Sequence, residues 1–145
     1  MYKDREHQMQ IRYINTDLDL ACPSSLQPIV DFLSARGAYA LSCEPADDGW
    51  HACLETEKQF RAADHTIAAF LDALDRMDPE TRSRWDECTL REFNIGYDAG
   101  DKPWAFNDGL SAMTVQRIAR LGATIRVTIY PPARDDCPPE SNSAS

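Results

Sequence analysis

The chain has 145 residues, 43% hydrophobic and 27% charged, with 24 acidic side chains against 15 basic ones and a net charge of −9. This composition suits a single globular domain with one buried core and excludes collagen, a coiled coil and a wholly disordered chain. No apolar run reaches the roughly 18 residues of a membrane-spanning helix. The acidic balance argues against nucleic acid and anionic membranes, which both call for a concentrated positive surface, and leaves a basic protein partner, a cation, or solubility alone.

Residues 1–9 read as a flexible leader, polar and without the apolar core of a signal peptide, so the expected address is cytoplasmic. Residues 10–20 alternate as a strand, with Ile14, Thr16, Leu18 and Leu20 on one face and Tyr13, Asn15, Asp17 and Asp19 on the other. Pro23 ends it, and Ser24 or Ser25 is positioned to cap a helix carrying Leu26, Ile29, Val30 and Leu33, with Gly37 at its exit. Residues 38–44 form a second strand. Pro45-Ala46-Asp47-Asp48-Gly49 then makes a hairpin turn, because Asp-Gly accepts positive φ. The third strand, 50–57, turns Trp50, Ala52 and Leu54 inward and His51, Cys53, Glu55 and Glu57 outward.

Asp64 is placed to cap a helix with Ile67, Phe70, Leu71 and Leu74. Asp78-Pro79-Glu80 starts another, by an N-cap aspartate followed by proline at the first helical position. Residues 90–97 are a strand with Phe93, Ile95 and Tyr97 on one face. A polar and aromatic loop follows over 98–110. Ser111 caps a helix carrying Val115, Ile118 and Leu121, Gly122 ends it, and 123–130 form the last strand with Ile125, Val127 and Ile129 inward. The tail over 132–145 has the Pro and Ser content of disorder. The expected fold is therefore α+β: a ferredoxin-like β-α-β-β-α-β core with an added C-terminal helix and strand. Its helices lie on one face of a mainly antiparallel sheet spanning 10–131 as a single domain. The expected core includes Leu18, Leu20, Ile29, Leu33, Leu41, Leu54, Phe70, Leu71, Phe93, Ile95, Ile118, Val127 and Ile129.

Two constellations are candidates for function. In this fold Asp17, Asp19 and Glu55 share the helix-free face with His51, Glu57, Glu92 and Asn94, a surface suited to a basic protein or a hard cation. The 97–107 loop mixes Tyr97, Trp104 and Phe106 with Asp98, Asp101 and Asn107, the usual lining of a recognition pocket; its aromatics either line such a pocket or fold back on the core. No catalytic or metal-ligating set emerges. The five cysteines (22, 43, 53, 88 and 137) contain no Cys-x-x-Cys pair and read as free thiols, the pair Cys53 and His51 lacks any nucleophile motif, and the loop glycines fit no phosphate motif. No cofactor is implied.

The segment WDECTLREFNIGYDAGDKPWAFNDGLSAMTVQRIARLGATIRVTIYPP, residues 85–132, together with the opening YINTDLDL, resembles a family of small uncharacterised bacterial proteins, a domain of unknown function. The resemblance implies the same strand–loop–helix–strand layout and a bacterial source, and carries no site residue. Some small acidic bacterial domains of similar layout are toxin-immunity proteins, an analogy at the level of fold. Three functions follow in order. The first is a non-catalytic, immunity-like binding domain that uses the acidic sheet face or the 97–107 loop against a protein partner, a basic one where the acidic face is used. The second is a small-ligand or cation-binding domain using the 97–107 loop. The third is an enzyme of unrecognised type. The sequence leaves the oligomeric state open.

Overall fold

A computed structural model describes residues 10–132. In chain order its elements are β1 (Arg12–Cys22), α1 (Gln27–Ser34), β2 (Ala38–Ala46), β3 (Gly49–Thr56), α2 (Ala63–Leu74), α3 (Pro79–Glu87), β4 (Leu90–Asp98), α4 (Ala112–Arg120) and β5 (Thr124–Tyr130). The strands form one mixed five-stranded sheet in the order β2-β3-β1-β4-β5. β1 is central and antiparallel to both β3 and β4, β2 is antiparallel to β3, and β5 runs parallel to β4. The expected leader over 1–9 and the tail beyond Pro132 lie outside the described residues.

Local chemistry sets the element ends. The Asp78 carboxylate accepts the Thr81 amide at 2.7 Å and opens α3 ahead of Pro79, and the Ser111 hydroxyl accepts the Thr114 amide at 3.1 Å and opens α4. Gly122 closes α4 at φ +69°, in the left-handed region that favours glycine. At the β2–β3 hairpin Gly49 has φ +130°, and a Cβ there would collide with the Cys22 carbonyl oxygen. Two expected caps differ. Ala62, not Asp64, stands at the N-cap of α2, and the Asp64 carboxylate instead accepts the Ser111 amide at 2.8 Å. Leu26 precedes α1 without a side-chain cap, while the Ser25 hydroxyl accepts the Gln27 amide at 3.2 Å.

The core forms between the sheet and the helices. Leu18 of β1 sits opposite Leu54 of β3 and Phe93 of β4, all three fully buried, and Phe70 of α2 packs on Phe93 with ring centroids 5.8 Å apart. Trp85 of α3 is also fully buried, and its indole N–H donates to the Leu121 carbonyl at 2.9 Å, tying α3 to the end of α4. Arg117 of α4 bridges Asp72 of α2 and Asp75 at the C-cap of that helix, each at 2.8 Å.

Several residues assigned to the core by alternation are exposed: Ile14, Leu41, Ile125, Val127 and Ile129, together with Val115 of α4. The causes are physical. The β1–β4 register shifts between Tyr13 and Asn15, and the β2–β3 register between Ala40 and Ser42. Each irregularity inserts a residue and resets which side chains face inward. The first turns Tyr13 inward, where its hydroxyl lies 2.7 Å from both Thr16 and Thr66, and leaves Ile14 out. β5 follows the expected alternation, but it is a sheet edge and its core-side row is left uncovered.

Candidate functional site

The polar face of the sheet gathers the acidic residues. Alternation along β1 buries Leu18 and Leu20 on one side and turns Asp17 and Asp19 to the other. Asp19 sits opposite Cys53 of β3 and Glu92 of β4, and Asp17 opposite Asn94. Glu55 accepts a hydrogen bond from the Tyr39 hydroxyl at 2.6 Å. On the β5 side the guanidinium of Arg126 meets Glu92 at 2.8 Å, and the Thr128 hydroxyl donates to Asn94 at 2.7 Å. Glu92 is almost fully buried beneath that ion pair.

The electrostatics follow from this crowding. Burial, then the hydrogen bond and negative charge of Glu55, then the charge of Asp19, push the Asp17 carboxyl up to about 7. Burial and the Asp19 carboxylate raise the Cys53 thiol as well. A thiol shifted this way stays protonated at neutral pH and is a poor nucleophile. His51 lies 3.0 Å from Asp48 at the hairpin tip. Glu57 lies beyond the end of β3 and is exposed. Among the described residues Cys22, Cys43, Cys53 and Cys88 are free, and no group of three or more His, Cys, Asp or Glu side chains is arranged to hold a metal ion. Cys137 lies outside the described residues.

The second constellation lies on the other face, where β4 and β5 run out beneath the loop. Tyr97 packs edge-on against both Tyr13 and Phe106, each at 5.8 Å between centroids. Its hydroxyl donates to Asp108, and burial followed by that hydrogen bond raises its pKa. The loop is fastened where the Ile11 amide donates to the Lys102 carbonyl at 2.7 Å and the Ala99 amide to the Tyr130 carbonyl at 2.8 Å. Between loop and sheet lies a cavity of about 440 Å³, lined by Tyr97, Asp98, Phe106, Asp108, Val127 and Ile129 among others. Asp98 also holds Arg12 at 2.9 Å.

Of the loop residues singled out from the sequence, Tyr97, Asp98 and Phe106 line this cavity and Asp101, Trp104 and Asn107 do not. Those three are exposed, Trp104 at 97%, so Trp104 neither covers the core nor lines the cavity. Sequence reasoning passed over Asp108, Ile11, Val127 and Ile129. Asp108-Gly109 carried a turn signal, and the other three were hidden because an apolar residue on a strand reads as core.

No helix among the described residues is long and apolar enough to cross a membrane. Comparison with protein-family models, curated proteins and solved structures found no match.

Proposed function

We propose that the chain is a non-catalytic binding domain that docks a basic protein segment on the acidic face of its sheet, in the manner of an immunity protein. One observation carries the reading: Asp17, Asp19, Glu55 and Glu92 lie on one face of three adjacent strands, where Glu92 is paired with Arg126. The Asp17 carboxyl, raised to about 7 by burial and then by Glu55 and Asp19, supports it. Charges crowded in this way repel one another, and an incoming Arg or Lys relieves that repulsion while adding its own attraction. The fold reading that accompanies this is ferredoxin-like, with helices on one face only so that the other is free to dock. The order β2-β3-β1-β4 and the antiparallel pairings within it support that reading. The likeness of 85–132 to small bacterial proteins belongs to the same proposal.

The test is association with a synthetic Arg-rich peptide at about pH 8.5, where Asp17 is ionised, comparing the wild type with Asp17→Asn/Asp19→Asn and with Asp47→Asn/Asp48→Asn at the hairpin tip, which there removes the same charge elsewhere. The sheet variant is expected to associate about tenfold more slowly and the tip variant hardly so. The difference should shrink as salt screens charges beyond about 8–10 Å. Equal effects of the two variants would reduce the acidic face to net charge and solubility.

A second reading rests on the 440 Å³ cavity, within the roughly 300–1,000 Å³ of small-molecule sites. Its aromatic rings and two aspartates suit a small organic cation.

A further inference from the structure

The two edges of the sheet are unlike each other. β2 carries Glu44 and Pro45 and a register irregularity at Ala40/Ser42, features that protect an edge from pairing with another strand. β5, Thr-Ile-Arg-Val-Thr-Ile-Tyr, has no proline, lysine or acidic residue and pairs with β4 on one side only. Its register against β4 is unbroken over seven residue pairs. Its core-side row is open, with Ile125 exposed at 42%, Val127 at 54% and Ile129 at 62%.

The helix that leads into β5 through the Gly122 turn adds to the surface. Arg117 anchors α4 to α2, and Thr114 and Ile118 are buried on that side. On the opposite side of α4, at helical spacing, Ala112, Val115 and Ala119 are exposed. The turn at Gly122 thus joins a stripe of small apolar residues to an unprotected strand edge.

We propose that β5 and α4 form a two-fold interface with a second copy of this chain, the two β5 strands pairing antiparallel about Val127. Two observations favour a second copy. First, the strand is self-complementary in that register: Val127 meets Val127 of the partner subunit, Ile125 meets the partner's Ile129, and Arg126 meets the partner's Thr128. Apolar side chains therefore face apolar ones on the core side, and polar ones face polar ones on the other. Second, residues 109–132 contain three arginines and no acidic residue, in a chain whose net charge is −9. Elsewhere two such chains repel, whereas at this end Arg117 and Arg126 are balanced by Asp72, Asp75 and Glu92 and two copies can approach. The small side chains of Ala112 and Ala119 let the two α4 helices come close above the paired strands. The dimer joins the two sheets into one of ten strands and doubles the acidic face.

Sedimentation of the reduced full chain tests the proposal between about 1 and 100 μM, the range in which a modest interface associates. The expected mass is twice 16.3 kDa. Val127→Lys places two ammonium groups face to face across the axis and is expected to weaken dimerisation at least tenfold while leaving the circular dichroism of the monomer unchanged. Val115→Arg, on the exposed side of α4, is expected to do the same and stands in if the first variant misfolds. A wild type that stays monomeric throughout would overturn the proposal and leave β5 for a strand or helix of another protein. A dimer insensitive to both variants would also overturn it, by locating the interface elsewhere.

Discussion

Replacing Asp17 by Asn should stabilise the protein at alkaline pH, although it removes a charged residue from the surface. The folded state raises this carboxyl from 3.8 to about 7, first by burial and then through Glu55 and Asp19. The folded state therefore binds a proton more tightly than the unfolded chain does. The sign follows: below about 4 the group is protonated in both states and costs nothing. As pH rises from there to about 7 the unfolded chain gives up the proton first and stability falls, and above 7 the full cost is present. Each tenfold change in proton affinity is worth about 1.4 kcal/mol, so the unscreened cost is about 4 kcal/mol. Asp17 is only half-buried, and solvent screening reduces this to roughly 1–2 kcal/mol. The amide introduced at this position carries no charge and, like a protonated Asp17, has a donor to offer Glu55. The expected gain in melting temperature is about 3–8 °C at pH 8 and close to zero at pH 4. Thermal unfolding of both proteins across that range measures it. A variant less stable than wild type at pH 8, or a gain that is the same at both pH values, would refute the reasoning.

Phe93→Ala empties a fully buried position against Phe70. It should cost about 3–5 kcal/mol in urea unfolding, and a loss under about 1 kcal/mol would contradict the packing. Trp104→Ala should change stability by less than about 0.5 kcal/mol, because the indole is 97% exposed. A loss as large as that of Phe93→Ala would place Trp104 in the core.

The sequence by itself determined the element order, because the signals that end each element are local. Asp78-Pro79, Ser111 and Gly122 act on the backbone within one turn, and each is found in the role its chemistry dictates. Alternation along β1 and β4 likewise determined that Asp17 and Asp19 lie opposite the face of Leu18 and Leu20, and that Phe93 and Ile95 are buried. The tertiary structure decided what depends on neighbours distant in sequence. A register irregularity at Tyr13/Asn15 exposes Ile14 and brings Tyr13 to Thr66, a contact across 53 residues that no local period encodes. The candidate cavity joins Ile11, Asp108, Val127 and Ile129 from three separate stretches of chain, so only one of its walls, the loop that begins at Tyr97 and Asp98, was legible beforehand. Ile125, Val127 and Ile129 show the limit of pattern most plainly. Period two fixes which side of β5 they occupy, but whether anything covers that side depends on β5 being the last strand of the sheet, a property of the assembled fold.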